Sequence, residues 1–413
     1  MKIIALILSF LLASPGWATT YCVRQDGSAS QVNATDCANS ASSMSAATFN
    51  ASSFSAGDTI YFSDRGGDIT TNITIPSSGS DSNNRIIYRG EPGNIPNIAS
   101  DGGITVGTSG GAGKSYIDLV DLKVDRATAE SCFLFQGSSI DVRTYNIQAL
   151  NAANQCLQHL DDGSYTHNNV TATGGADEGL SSHNNCTIIV NGGNISGRSG
   201  MNWVLSPTYE IYDATITSTN GSYFAIEPPS GAVTYHMKFH RCTIVEASGK
   251  SNRGTDWNAA GTVEYINCIL KNLTTGDYEL LFRSSASFVG KIFNCLFVGS
   301  TPSGAVISNA DADSEYKNNI FYNTGKSFSG STGTIDSNAF YNAGAGQGTN
   351  KITSDPLLRD PANGKFQPLH GSPLIGVGAD LSGTFTTDFD NKARHTWTIG
   401  PYAYRPIQPM VVK

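Results

Sequence analysis

Nine short lines of similar sequence recur along this chain: RTYNIQA (143–149), THNNVTA (166–172), NGGNISG (191–197), YDATITS (212–218), HRCTIVE (240–246), INCILKN (266–272), FNCLFVG (293–299), KNNIFYN (317–323) and DSNAFYN (336–342). Aligned, they place Asn146, Asn169, Gly193 or Asn194, Ala214, Cys242, Cys268, Cys295, Asn319 and Asn338 in one column, at steps of 19 to 28 residues. A period of this length, with β-branched strands between Asn and Gly turns, fits a solenoid whose coils stack on one another. No long stretch carries apolar residues at helical spacing, and 44 glycines suit a turn-rich chain. The expected fold is all-β, a single-stranded right-handed parallel β-helix, with Cys242, Cys268 and Cys295 packed inside it as free thiols.

The ends bound the domain plan. Residues 1–18 combine one lysine, an apolar run from Ile3 to Leu12 and small residues at Gly16 and Ala18, the pattern of a secretory signal peptide. That run falls short of the roughly 18 apolar residues of a membrane span. The expected plan is a β-helix with an N-terminal cap over 19–350 and a closing segment over 351–413. Cys22 and Cys37 flank a short polar loop and suit a disulfide in an exported protein. The eight Asn-x-Ser/Thr sites read as turn asparagines beside strand threonines. A net charge of −8 argues against a nucleic-acid partner. It leaves an acidic polysaccharide open, because a basic cleft can exist on an acidic protein. The expectation is a secreted or periplasmic monomer with no membrane partner.

A second set of strands precedes the repeated lines: CLQHL (156–160), GLSSH (179–183), NWVLS (202–206), FAIEP (224–228), DWNAA (256–260), LLFRS (280–284) and AVISN (305–309). Their alignment puts His159, His183, Ser206, Glu227 and Arg283 in one column, and its polar character points it outward.

GDTIYF (57–62) followed by IPSSGSDSNNRIIYRGEPG (75–93) resembles the first coils of the pectate-lyase-like superfamily of right-handed β-helix proteins. The tail from Ser354 through IGPY (399–402) resembles the segment that closes many exported members. The resemblance implies the architecture and a carbohydrate-active protein, since this fold hosts lyases, hydrolases, epimerases and binding proteins. EGLSSH (178–183) is similar to a strand that alginate C5-epimerases write Y-G-F-D-P-H. Gly179 and His183 match, Leu180 is a conservative substitute, and Glu178 and Ser181 replace a tyrosine and an aspartate.

The leading expectation is a lyase that cleaves a uronate polysaccharide by β-elimination. That chemistry needs a cation at the sugar carboxylate, a base at C5 and a proton for the leaving oxygen. An imidazole is suited to the role of base, which points to His183, with His159 one coil away. Arg283, Arg198, Lys250 or Arg253 supplies the cation, and Tyr165 or Tyr223 the proton. Glycoside hydrolysis is the alternative, with Asp177 or Glu178 paired with Glu227 or Asp256. A non-catalytic glycan binder is the third, with Trp203, Trp257, Tyr223 and Phe282 as stacking platforms. The residues point to no definite cofactor, and Asp177 and Glu178 could hold calcium; Asp161-Asp162-Gly163 reads as a turn.

Overall fold

A computed structural model describes residues 18–406 apart from 29, 31–36, 95, 101, 126–130, 221–224, 228–233, 247–254, 258–260, 274–277, 283–287, 300–304, 309–311, 325 and 330–332. The chain is a parallel β-solenoid of about nine turns. Its logic is clearest in the strand Gly163–Ser182, which travels once around the coil. Tyr165 pairs with Val142 on one face (A), Thr171 with Gln148 on the next (B), and Ser181 with Gln158 on the third (C). Alternate residues point inward on every face, and the stacked inward residues make one continuous core. Phe297, Phe321 and Phe340 are one such file, with ring centroids 5.0 and 5.2 Å apart.

The corner between faces A and B explains the repeat. One residue there takes the left-handed conformation: Asp121, Asn146, Asn169, Asp213, Arg241, Asn267, Asn294, Asn318 and Ser337 have φ between 51° and 60°, and Gly192 has φ 80°. A single such residue turns the chain without breaking the ladder, and Asn, Asp and Gly tolerate it best. The next residue points inward. Cys242, Cys268 and Cys295 therefore stack inside, as expected, but Asn146 and Asn169 belong to the corner, one position before that file. The inward asparagines are Asn319 and Asn338, both fully buried. Their Oδ1 atoms accept from the backbone N–H of Cys295 and Asn319 at 2.9 and 2.8 Å, and their Nδ2 atoms donate to the carbonyls of Ile292 and Tyr316 at 2.8 Å. One amide per coil thus satisfies a donor and an acceptor that the tight turn leaves open.

Cys22 and Cys37 form the expected disulfide, and the other six cysteines are free and buried. Burial pushes the Cys242 and Cys268 thiols well up, so neither forms thiolate at neutral pH. At the N-terminal end the short helix Ala46–Ala51, capped by Ser45, sets Phe49 against Phe54, Phe62 and Tyr88. On face A an outward file alternates in charge, Glu210, Lys238, Glu264, Lys291 and Glu315 in successive coils.

The C-terminal segment does more than lid the last coil. Leu374 and Ile399 are buried and Ile375 is partly so. Leu358, Phe366, Leu374, Ile399 and Tyr402 pack on Ile269, Leu296, Ile320 and Ala339, the outward file of face B in four successive coils, making a second core outside the wall. The corner asparagines bind the segment: Asn267 donates to Thr387 O at 2.8 Å, Asn294 to Thr398 O at 2.9 Å and Gly400 O at 2.8 Å, and Asn318 to Ala379 O at 2.8 Å. Arg394 crosses between them, donating to Asn267 Oδ1 at 2.8 Å and Pro401 O at 2.7 Å.

Candidate functional site

Strand parity fixes what face C presents. Leu157, Leu180, Met201 and Ile226 stack inward and are buried. The residue after each points outward, so the outward file runs Leu134, Gln158, Ser181, Asn202 and Glu227. The expected file of His159, His183, Ser206, Glu227 and Arg283 is corrected accordingly. Glu227 keeps its place, and Arg283 lies outside the described residues. Ser206 sits in the following turn, where its backbone N–H donates to Asn185 Oδ1 at 3.3 Å.

His159 is not in the groove. It has the parity of Leu157, so burying one buries the other, and its side chain is fully enclosed. It stacks on Phe135 with centroids 4.7 Å apart and meets His167 from face A, also fully buried. The Ser181 carbonyl can only accept, so the 3.1 Å contact assigns the hydrogen to His159 Nδ1. Its Nε2 then accepts from His167 Nε2 at 3.1 Å, and His167 Nδ1 accepts from the Thr144 hydroxyl at 3.0 Å. The chain closes with both rings neutral. Burial lowers His159 to about 4 and His167 well below its ordinary value. Tyr165, considered as a proton donor, also points inward and is buried beside these rings.

These two imidazoles make stability pH-dependent. In the unfolded chain they take protons near pH 6.5, whereas the folded state refuses them until about pH 4 for His159. Their contribution is intact above pH 6.5 and is lost as pH falls through that window. His159 alone costs roughly 3 kcal/mol by pH 4. Urea midpoints measured from pH 7 to 4.5 should fall, and fall less in His159→Gln; an unchanged pH slope in that variant rejects the buried-pair account.

The groove itself is a row of polar side chains across three coils. At the edge nearest the corner with face B, Arg198 lies 3.0 Å from Asp177 Oδ1 and 3.7 Å from Glu178 Oε1. The Asp177 and Arg198 side chains are each 32% exposed, whereas Glu178 is nearly enclosed. Glu178 also accepts from Gln155 Nε2 at 2.9 Å and Asn202 Nδ2 at 3.4 Å. Two coils on from Glu178, Glu227 leans back over the middle coil and accepts from the Ser199 hydroxyl. The bend beneath them needs glycine: a Cβ at Gly197 would lie 2.7 Å from the backbone of Glu178 and Gly179.

His183 stands at the far edge of the row, two residues and about 7 Å of strand beyond Ser181. Its backbone N–H donates to His159 O at 2.8 Å. Its half-buried ring makes no hydrogen bond to any described residue. Asp177 and Glu178 do not fit a calcium site: both face a guanidinium that the ion would have to displace. Among the described residues no group of three or more His, Cys, Asp or Glu side chains stands together to hold a metal.

Lys250, Arg253 and Tyr223 lie outside the described residues. Asp256 is described only as backbone, pairing with Leu281, and the side chains of Trp257 and Phe282 are likewise outside. Trp203 is buried in the core, where a stacking platform cannot reach a ligand. Asp161 and Asp162 serve the turn, accepting from Gly137 N–H at 2.6 Å and Asn185 N–H at 3.1 Å. Sequence reading missed Gln155, Gln158, Ser199 and Asn202. Aligning the apolar positions Leu157, Leu180, Met201 and Ile226 first would have exposed the outward file.

No family model and no curated protein matches the sequence. Among solved structures the chain is similar to one titled "Crystal structure of pectate lyase Pel9A", with 13% identity and a TM-score of 0.48 over 94% of this chain and 98% of that one. The likeness concerns the course of the chain and assigns no residue a role.

Proposed function

We propose that this protein is a polysaccharide lyase that cleaves a uronate-containing chain by β-elimination in the groove of face C. The observation that carries the reading is the row itself: amide donors of Gln158 and Asn202 in the centre, with the imidazole of His183, which bonds to no described residue, at one edge and the Arg198 guanidinium at the other. A sugar lying across the central file can rest its carboxylate on N–H donors, which withdraw charge and acidify the C5 proton. His183 takes that proton. The C5–H electrons form the C4–C5 double bond, the C4–O bond breaks, and the leaving oxygen takes up the proton that His183 has accepted, which returns the imidazole to its neutral form. No step requires calcium.

Hydrolysis is the second reading, favoured by the two glutamates that converge on the middle coil. Glu227 reaches back along its strand to the hydroxyl of Ser199, the residue that pairs with Glu178 in the adjoining coil, so both carboxyl groups are drawn toward the same coil, as a hydrolytic pair requires. The products separate the two. Elimination leaves an unsaturated uronate that absorbs in the ultraviolet, and hydrolysis leaves reducing ends without that absorbance. A digest of uronate and neutral polysaccharides read both ways decides between them, and no cleavage of either class rejects both.

The reading includes export, supported by the signal-like first 18 residues and by a disulfide that suits an oxidising compartment. Protein recovered from the periplasm or medium should begin near Thr19 and release six titratable thiols when denatured without reductant. A full-length cytoplasmic product with eight free thiols contradicts both export and the bridge.

A further inference from the structure

The C-terminal segment contains a cavity of about 660 Å³ that shares no residue with the groove. It opens between the strand Leu358–Asp360, residues 367–370 and residues 402–406. We propose that this cavity binds a single uronate residue of an oligosaccharide, as an anchoring site separate from the groove; the choice of uronate rests on the acidic-polysaccharide reading above.

Four features argue for such a ligand. The exposed Arg359 side chain makes no ion pair or hydrogen bond with any described residue, which leaves a whole guanidinium fork for a carboxylate. Leu369, 44% exposed, and the ring of Tyr402, set against Phe389 with centroids 5.3 Å apart, form an apolar wall suited to the C–H face of a sugar. His370 Nδ1 and the Tyr404 hydroxyl lie 2.9 Å apart, so each holds the other's orientation and both keep capacity for sugar hydroxyls.

Charge supplies the fourth. Arg405 is taken up by Asp388 at 2.6 Å, and Asp388 also accepts the backbone N–H groups of Lys392 at 2.9 Å and Ala403 at 3.1 Å. That knot fixes the loop and spends one positive charge. Asp390 also lines the cavity. The lining charges thus sum to zero, and Arg359 is the guanidinium there with no partner among the described residues, an arrangement that accommodates one carboxylate and disfavours a multiply charged phosphate ester.

The test is binding, read by calorimetry with an oligogalacturonide and its carboxyl-reduced counterpart on the full exported chain. The wild type should show a class of site that Arg359→Ala weakens about 10- to 100-fold, the loss of a charged hydrogen bond. The carboxyl-reduced probe should be weakened by a similar factor at that class. The thermal midpoint of the variant should not move, because the side chain is exposed and pairs with no described residue. If the groove binds no uronate, the wild type shows this class alone and the variant shows none, so the lyase reading can fail while the cavity stands. Binding unchanged in Arg359→Ala, or equal binding of the carboxyl-reduced probe, overturns the proposal.

Discussion

His183→Ala lowers the rate of unsaturated product formation by about 10²- to 10⁴-fold, the contribution of a positioned base. Stability changes by no more than about 0.5 kcal/mol, because the ring is half-buried and bonds to no described residue. Glu227→Gln is milder under elimination. The glutamine keeps the shape and can still accept from Ser199, and the elimination scheme assigns Glu227 no proton to move. Hydrolysis reverses the order: Glu227→Gln and Glu178→Gln abolish the formation of reducing ends, and His183→Ala affects only binding. Absorbance and reducing-end assays on the same digests read both series. Full activity in His183→Ala removes elimination by this residue from consideration.

Ending the chain at Thr349 produces insoluble protein. The truncation strips the cover from Ile269, Leu296, Ile320 and Ala339 and removes Leu358, Phe366, Leu374 and Ile399 from the outer core. Each large apolar side chain returned to water costs about 1.5–3 kcal/mol. Several together rival the whole net stability of about 5–15 kcal/mol. The Nδ2 atoms of Asn267 and Asn294 also lose their carbonyl acceptors. The soluble fraction and size-exclusion profile of the truncated chain measure the effect. A soluble monomer with the full-length thermal midpoint shows that the segment is a separate appendage.

The solenoid was legible because stacking makes one position in every coil do the same job. Recurrence of Cys242, Cys268 and Cys295 fixed the inward file without knowledge of the turns. Asparagine was less informative, since it serves two adjacent positions for different reasons: Asn169 turns the corner, and Asn319 lies inside and bonds backbone. Face C was harder to read. In CLQHL and GLSSH polar residues stand on both sides of the wall, and His159, Ser181 and Ser182 are all buried. Hydrophobic alternation therefore fails there, and only Leu157, Leu180, Met201 and Ile226 betray the parity. The partners that let His159 live inside, His167 and Thr144, come from another face and leave no periodic trace. The outer core was invisible for a related reason: Ile269, Leu296 and Ile320 look like ordinary strand residues until the segment that covers them is placed.

The alternating file on face A has a bearing on how the coils find their order. Interior residues are apolar in nearly every coil, so a coil that stacked one place too far along would still bury most of its side chains. Such a skip would lay Glu210 against Glu264, Lys238 against Lys291 and Glu264 against Glu315. Like charges directly opposite each other repel, and opposite charges contribute about 0.2–1 kcal/mol per pair. Correct stacking instead sets every one of these side chains beside its opposite, with Lys291 3.8 Å from Glu264. The five residues act as a parity check on assembly, written on the outside of a wall whose inside cannot count.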